Sequence, residues 1–240
     1  SQGLSGMEAL SAIPGTVGAT PVQNVGAYGT ETMDILESLR AYDVYEKKFV
    51  TFSNAECKFS YRDSIFKREG KGRYIITQVT YELSGDEPDV PQYPGIAEYF
   101  SKQNIVRPSL QEIREAIISI RSKKLPEPKE IASVGSFFKN SIVAKEQADK
   151  LINEFPNMKV FPAENGMVKI PSGWLIEQAG FKGKQFGALR VYEHNALVLV
   201  NDGGATRAEL HALIEKIQGE VEAKFSIKIE PEPELLSFGI

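Results

Sequence analysis

Between Arg73 and Leu83 apolar and polar side chains alternate, and Ile75, Thr77, Val79, Tyr81 and Leu83 fall on one side. A period of two predicts a half-buried strand. The same β-rich character extends over residues 36–83. Gly85 to Gly95 then carries three prolines among acidic residues, which predicts a surface loop. Ser109-Leu110-Gln111-Glu112 has the spacing of a capping box, and Leu110, Ile113, Ile117 and Ile120 follow at helical intervals, so a helix is expected down to Arg121. Leu125-Pro126-Glu127-Pro128 ends it, because proline neither continues a helix nor joins the interior of a sheet. The domain boundary is placed there, after residue 128.

Beyond the boundary the periods alternate. A helix is expected near Lys145–Phe155, a strand near Met167–Ile170, a short helix from Ser172 stopped by Gly180, and strands around Leu189–Tyr192 and Leu197–Val200. Thr206-Arg207-Ala208-Glu209 is a second capping box and opens a long helix to about Lys224, with a strand at Phe225–Ile229 after it. Helices and short strands mixed in this way make a compact α+β domain. No internal repeat or low-complexity tract interrupts the chain.

Composition narrows what such a chain does. At 240 residues and 42% hydrophobic it can bury one large core or two modest ones, and ordinary domain sizes favour two. The 28 basic and 32 acidic side chains leave a formal charge of -4, without the surplus of cations that grips a nucleic acid backbone. A single cysteine, Cys57, forms no intrachain disulfide, and with two histidines, His194 and His211, it makes no recognisable zinc site. No apolar run reaches the roughly 18 residues of a membrane span. A soluble, cytoplasmic protein is expected. The segment from Ser11 to Gly29 is rich in glycine and proline among small apolar residues, which predicts a tight series of turns. Its glycines let the backbone approach either a ligand or another piece of backbone closely, and residue type alone leaves both open.

Three segments are more particular than composition requires. They are Ile13-Pro14-Gly15-Thr16-Val17-Gly18 with Gln23-Asn24-Val25-Gly26-Ala27-Tyr28-Gly29, then Tyr61-Arg62-Asp63-Ser64-Ile65-Phe66-Lys67, and then Gly135-Ser136-Phe137-Phe138-Lys139-Asn140. In this order they resemble the signature of the MurB family, flavin-dependent UDP-N-acetylenolpyruvoylglucosamine reductases. Lys124 to Lys129, Gly173 to Gln178 and Ile229 to Glu232 add to the likeness, which covers nearly the whole chain. The resemblance implies an α+β protein of two domains: a β-rich second half of an FAD-binding, vanillyl-alcohol-oxidase-like domain over 1–128, and a substrate-binding domain over 129–228. Residues 229–240 would return to the active site.

It also implies an activity in peptidoglycan synthesis, the reduction of UDP-N-acetylglucosamine enolpyruvate with FAD and NADPH as cofactors. NADPH reduces the flavin and leaves, and flavin N5 then delivers hydride to the vinyl carbon. Negative charge develops beside the substrate carboxylate, so the site needs cationic or hydrogen-bonding groups and an acid near the carbon. By itself Ser136 reads as a turn residue or helix N-cap; the resemblance makes it the proton donor. Arg62 alone reads as an ion-pair partner of Asp63, and Glu232 as part of a solvated acidic run. The resemblance instead sets both around the substrate carboxylate and enolate. Likewise it assigns Lys124 and Lys182 to the pyrophosphate or uridine side, Asn140 and Asn195 to polar contacts with the nucleotide, and Tyr93 to a mobile lid over it. The FAD contacts fall on Ile13, Pro14, Gly15, Thr16, Gly18, Gln23, Asn24, Gly26, Ala27, Tyr28 and Gly29, mainly through backbone. Phe161 and Asn195 depart from the family, which often carries tyrosine and glutamine there. No glycine-rich flavin-diphosphate loop occurs in the chain; the implication is a missing amino-terminal flavin segment, and a chain inactive on its own. A flavin-free module that only binds UDP-sugars is the alternative from another class, and an oxidase of small alcohols a third. A monomer is expected, with no nucleic acid or membrane partner.

Overall fold

The computed structural model describes residues 3–236. The chain divides into two compact units, Ser1–Arg121 and Ser122–Ile240.

In the first unit a small hairpin pairs β1 (Gly26–Ala27) with β2 (Thr30–Glu31), and one helical turn, α1 (Thr32–Ile35), follows. Next comes an antiparallel sheet of β3 (Leu36–Asp43), β4 (Lys48–Ser53) and β5 (Tyr74–Tyr81), with β3 central. Its inner face buries Leu36, Leu39 and Ala41 against Cys57, Ile65 and Phe66. Phe52, Phe66 and Tyr74 meet edge-on at 5.0–6.0 Å, the arrangement that aromatic quadrupoles favour. Burial pushes the Cys57 thiol up to about 12, so it behaves as a small core hydrophobe.

The face expected from strict alternation in β5 is corrected by a bulge. Arg40 pairs with Gln78 but Ala41 pairs with Ile76, leaving Thr77 as an extra residue, its hydroxyl on the Arg40 carbonyl. The phase therefore flips midway. Tyr74 and Ile76 pack inward before the bulge, Val79 and Tyr81 after it, while Ile75 is exposed and Leu83 lies beyond the strand.

Asp43 closes β3 as a buried carboxylate. Its Oδ2 accepts from Nη2 and Nε of Arg73 at 2.6 and 2.9 Å, and its Oδ1 accepts from the backbone of Tyr45 and Glu46. The Arg73 hydrogen bonds, aided by those backbone donors, hold its carboxyl at about 2. A depressed folded-state pKa contributes stability above the unfolded value of roughly 4 that disappears as pH falls toward the folded one. We expect the urea midpoint of the first unit, followed by far-UV circular dichroism, to fall from pH 4 to pH 2 more steeply in the native protein than in Asp43→Asn; equal slopes would refute the assignment.

The region expected to be loop through Gly95 gives way earlier to α2 (Pro94–Gln103), because Pro94 takes the first helical position, where its missing N–H costs nothing. Asn104, in the left-handed region, stops this helix. α3 (Leu110–Lys124) starts at the capping box, with Ser109 N donating to Glu112 at 2.7 Å. Ile96 and Phe100 of α2 meet Ile113, Ala116, Ile117 and Ile120 of α3. The division between units falls inside α3, before the proline break after which the boundary was expected. Leu125 and Ile131 explain the offset, since both already pack on Tyr192, Val198 and Val200 of the second unit.

The second unit holds β6 (Ser133–Ser136), β7 (Ser141–Val143), α4 (Lys145–Glu154), β8 (Phe161–Pro162), β9 (Val168–Ile170), α5 (Ser172–Gln178), β10 (Gln185–Phe186), β11 (Leu189–Val191), β12 (Val198–Asn201) and α6 (Arg207–Phe225). Two antiparallel sheets form, ordered β10-β11-β12-β6 and β7-β9-β8. Thr206 caps α6 reciprocally with Glu209, and Leu213, Ile217 and Val221 go into the core. The strand expected at Phe225–Ile229 is instead the end of α6 and an extended segment. Phe225 completes the helix, Ser226 stops it at φ 54°, and Ile227 and Ile229 plug into the core. Their alternation reflects burial of a single extended segment, held by Gln218 on the Ile229 carbonyl, and no sheet ladder.

Candidate functional site

In the second unit the site grows from a defect in β6. Val198 pairs with Ser136 and Val200 with Ser133, so β6 carries one residue more than its partner. Gly135 absorbs it at φ +72°, a conformation that glycine adopts without penalty. A bulge of this kind re-aims the residue beside it, here Ser136, which is half-buried. Ser136 closes a strand and opens no helix, which removes its reading as an N-cap.

The chain after Ser136 is clamped from several sides. Phe137 N donates to Leu197 O at 2.7 Å, and Phe137 and Phe138 are buried. Phe138 bridges Pro231, Lys139 N donates to Glu230 O at 2.9 Å, and Glu232 N donates to Phe137 O at 2.7 Å. The extended C-terminal segment thereby sets Glu232 against the residue next to Ser136. Lys139 Nζ reinforces this seam on Glu230 at 3.3 Å. Beyond it, Asn140 Oδ1 accepts from Ser172 N at 3.2 Å, and the fully buried Ser172 hydroxyl donates to Lys139 O at 2.6 Å. Asn195 accepts from Leu197 N at 3.1 Å and so shapes the turn that supplies the Leu197 carbonyl. Lys182 pairs with Glu177 at 2.9 Å, Lys124 ends α3 in solvent, and Phe161 is largely exposed on β8.

In the first unit Ser60 and Asp63 bond each other both ways across Tyr61 and Arg62, making a two-residue turn. Arg62 stands there at φ +56°. A left-handed side-chain-bearing residue costs about 1–2 kcal/mol, and such strain concentrates at functional positions. Asp63 is bonded by Arg68 and by Ser64 N; Arg62 turns elsewhere, donating from Nη2 to Gly26 O at 2.8 Å. The two motifs are laced together further by Ser64 Oγ on Val22 O at 2.7 Å and Asn24 Nδ2 on Ser60 O at 3.1 Å.

The glycine-rich stretch offers one open wall. Gly15 and Gly29 have positive φ with nothing near a hypothetical Cβ, and Pro14, Thr16 and Val17 are exposed. Bare backbone beside an apolar side chain makes a surface that a flat ring can approach closely. Asn24 is the exception, fully buried, its amide used by Glu31, Ser60 and Met33. Tyr28 is half-buried, its hydroxyl raised above the ordinary value by burial, and Tyr93 packs edge-on against it at 4.9 Å. Among the described residues no cluster of metal-ligating side chains occurs, and no helix is long and apolar enough to cross a membrane.

A family model described as the C-terminal domain of UDP-N-acetylenolpyruvoylglucosamine reductase matches residues 127–236. The reductase of Ralstonia nicotianae is 48% identical over 232 residues, covering 96% of this chain and 68% of that protein. That of Flavobacterium johnsoniae is 47% identical over 228 residues, 95% of this chain and 68% of the relative. The chain belongs to the UDP-N-acetylenolpyruvoylglucosamine reductase family. Its α+β fold agrees with the crystal structure of the MurB reductase from Thermus caldophilus, at a TM-score of 0.62, 23% identity, 97% of this chain and 64% of that one. The chain thus spans about two thirds of the length of the reductases it matches. Two features of this reductase-family chain escape residue-pattern reading. The bulge at Gly135 had a signal, a glycine inside a short strand. Glu31, which joins Asn24 and Arg62, had none.

Proposed function

We propose that this reductase-family protein reduces UDP-N-acetylglucosamine enolpyruvate to UDP-N-acetylmuramate in peptidoglycan synthesis, with electrons from NADPH. The observation that carries the reading is the seam between Glu232 and the Ser136 segment: two polar groups distant in sequence are held on adjacent, hydrogen-bonded segments beside a bulge.

Ile13, Pro14, Gly15, Thr16 and Gly18, with Gln23, Gly26, Ala27, Tyr28 and Gly29, would hold one side of FAD. Bound FAD supplies a hydride, taken from NADPH, to the vinyl carbon of the substrate. Arg62 binds the substrate carboxylate through its planar guanidinium, which also offsets the charge that grows there. Ser136 gives its hydroxyl proton to the adjacent carbon. A serine hydroxyl is a weak acid, so transfer requires a strongly basic carbon acceptor, and the resulting alkoxide recovers its proton from water. Glu232, in its protonated form, donates a hydrogen bond to the enolate instead of repelling it. Lys124 and Lys182 serve the diphosphate as point charges, while Asn140, Asn195 and Tyr93 line the nucleotide. A nucleotide-sugar substrate and NADPH suit a cytoplasmic enzyme.

The test is direct. An intact, FAD-loaded version of this protein, mixed with NADPH and UDP-N-acetylglucosamine enolpyruvate, should consume both in equal amounts and form UDP-N-acetylmuramate, followed by absorbance and mass spectrometry. Tight binding of the nucleotide sugar with no NADPH consumption would overturn the reading in favour of a binding module.

A further inference from the structure

We propose that Glu31 is a positioning residue whose carboxylate, anchored by the buried amide of Asn24, seats the Arg62 guanidinium for a ligand carboxylate. This rests on the reading of Arg62 as the carboxylate clamp and adds what holds that clamp in place.

The two oxygens of Glu31 have separate duties. Oε2 accepts from Asn24 Nδ2 at 2.6 Å, and Oε1 faces Arg62 Nη1 at 3.9 Å. Asn24 is itself immobile: it is fully buried, its Oδ1 accepts from Met33 N at 2.9 Å, and its Nδ2 also reaches Ser60 O at 3.1 Å. Glu31 is therefore tethered to a fixed point, and it transmits that point to Arg62. On its other edge the guanidinium donates from Nη2 to Gly26 O at 2.8 Å. Anchors on two sides restrict a long side chain that would otherwise sample many rotamers.

Gly26 supplies an independent observation. A Cβ there would lie 2.7 Å from Glu31 Cγ, 3.0 Å from Thr30 O and 3.2 Å from Arg62 Nη1. Unlike Gly15 and Gly29, Gly26 does not need a positive φ, so its requirement is space. The missing side chain is the room in which Glu31 and Arg62 stand. The hairpin Gly26–Ala27 with Thr30–Glu31 thus serves the arginine as well as any cofactor, because its pairing of Gly26 with Glu31 sets acid and carbonyl side by side.

Freezing a rotamer-rich side chain before binding spares an ordering cost that corresponds to about a tenfold change in affinity. Two nucleotides that differ in their carboxylate isolate this effect. In the FAD-loaded protein, Glu31→Gln should weaken binding of UDP-N-acetylmuramate about tenfold by calorimetry and leave UDP-N-acetylglucosamine, which has no carboxylate, within twofold. Gly26→Ala keeps every polar group but crowds the pair, and should give the same selective loss. It also covers the case in which Glu31→Gln fails to fold. Arg62→Lys is the reference. If it shows no selective loss, the clamp reading falls and the proposal with it; if Arg62→Lys is selective while Glu31→Gln and Gly26→Ala are not, the positioning role of Glu31 alone is overturned. A loss equal for both nucleotides would mark Glu31 as merely structural.

Discussion

In an intact, FAD-loaded version of this protein, Ser136→Ala should leave reduction of flavin by NADPH almost unchanged and slow reduction of the enolpyruvyl substrate by roughly 10²–10⁴-fold, the usual contribution of a positioned general acid. The asymmetry follows from where a proton is needed. Hydride transfer from NADPH to flavin calls for no carbon acid, whereas saturating the vinyl ether requires one proton at the carbon beside the carboxylate. Ser136 owes its place to the backbone: the Gly135 bulge aims it, the Leu197 carbonyl and the Phe138–Pro231 bridge fix the strand after it, and Glu232 N closes the seam. Removing one hydroxyl leaves all of those contacts intact, so the variant should fold and bind normally. Stopped-flow measurement of the two half-reactions decides the matter. Equal losses in both would leave Ser136 as a structural residue of the bulge.

How much of this was legible from residues alone depended on whether the information was local. Both capping boxes, Ser109 with Glu112 and Thr206 with Glu209, appear where their four-residue spacing put them, because the bonds that make a cap close within one turn. The face of β5 was not legible, since Thr77 becomes a bulge only through the register imposed by β3, and that register is a property of two strands. Pro94 illustrates a conflict of signals. Proline among acids and glycines reads as loop, yet the same residue at the first helical position starts α2, and the burial of Ile96 and Phe100 decides in favour of helix. Ile227 and Ile229 mimic a strand by alternation, but they alternate because both plug into the core, and backbone pairing begins only after them, at Glu230.

The candidate site was less legible than the fold. Nothing in Glu230-Pro231-Glu232 distinguishes a solvated acidic run from a strand laid against Phe137 and Phe138; only the family likeness singled out Glu232, and the structure supplies the physical link through the Pro231 bridge. Arg62 was ambiguous between an ion pair with Asp63 and another use. Asp63 accepts from Arg68 and Ser64, and Arg62 adopts a left-handed backbone directed to Gly26. The Asn24 side chain makes its hydrogen bonds inside the protein, to Glu31, Ser60 and Met33. Glycine-rich segments invite a ligand-centred reading, and here part of the segment holds other side chains.

Phe138→Ala should be the most destabilising of the single truncations along the seam, costing about 3–5 kcal/mol, as expected for a buried phenylalanine whose cavity cannot collapse. Phe138 is 1% exposed, meets Phe137 edge-on at 5.4 Å, and forms the bridge to Pro231. Its neighbours on both sides are tied by backbone hydrogen bonds to Leu197 and Glu230, so the surrounding chain has little freedom to close the void. The sole tryptophan, Trp174, is partly buried against the core of the same unit, 5.4 Å from Phe155 and 5.7 Å from Phe225, so its fluorescence reports that unit's unfolding. At about 3–5 °C per kcal/mol for a unit of this size, the thermal midpoint of that signal should drop by about 10 °C or more. Phe161→Ala, at a site 42% exposed on β8, should barely move it. Comparable shifts for the two variants would show that Phe138 is not the anchor of the seam; a large shift confined to Phe138 would establish that the side chain locking the C-terminal segment beside Ser136 is also a principal support of the unit's core.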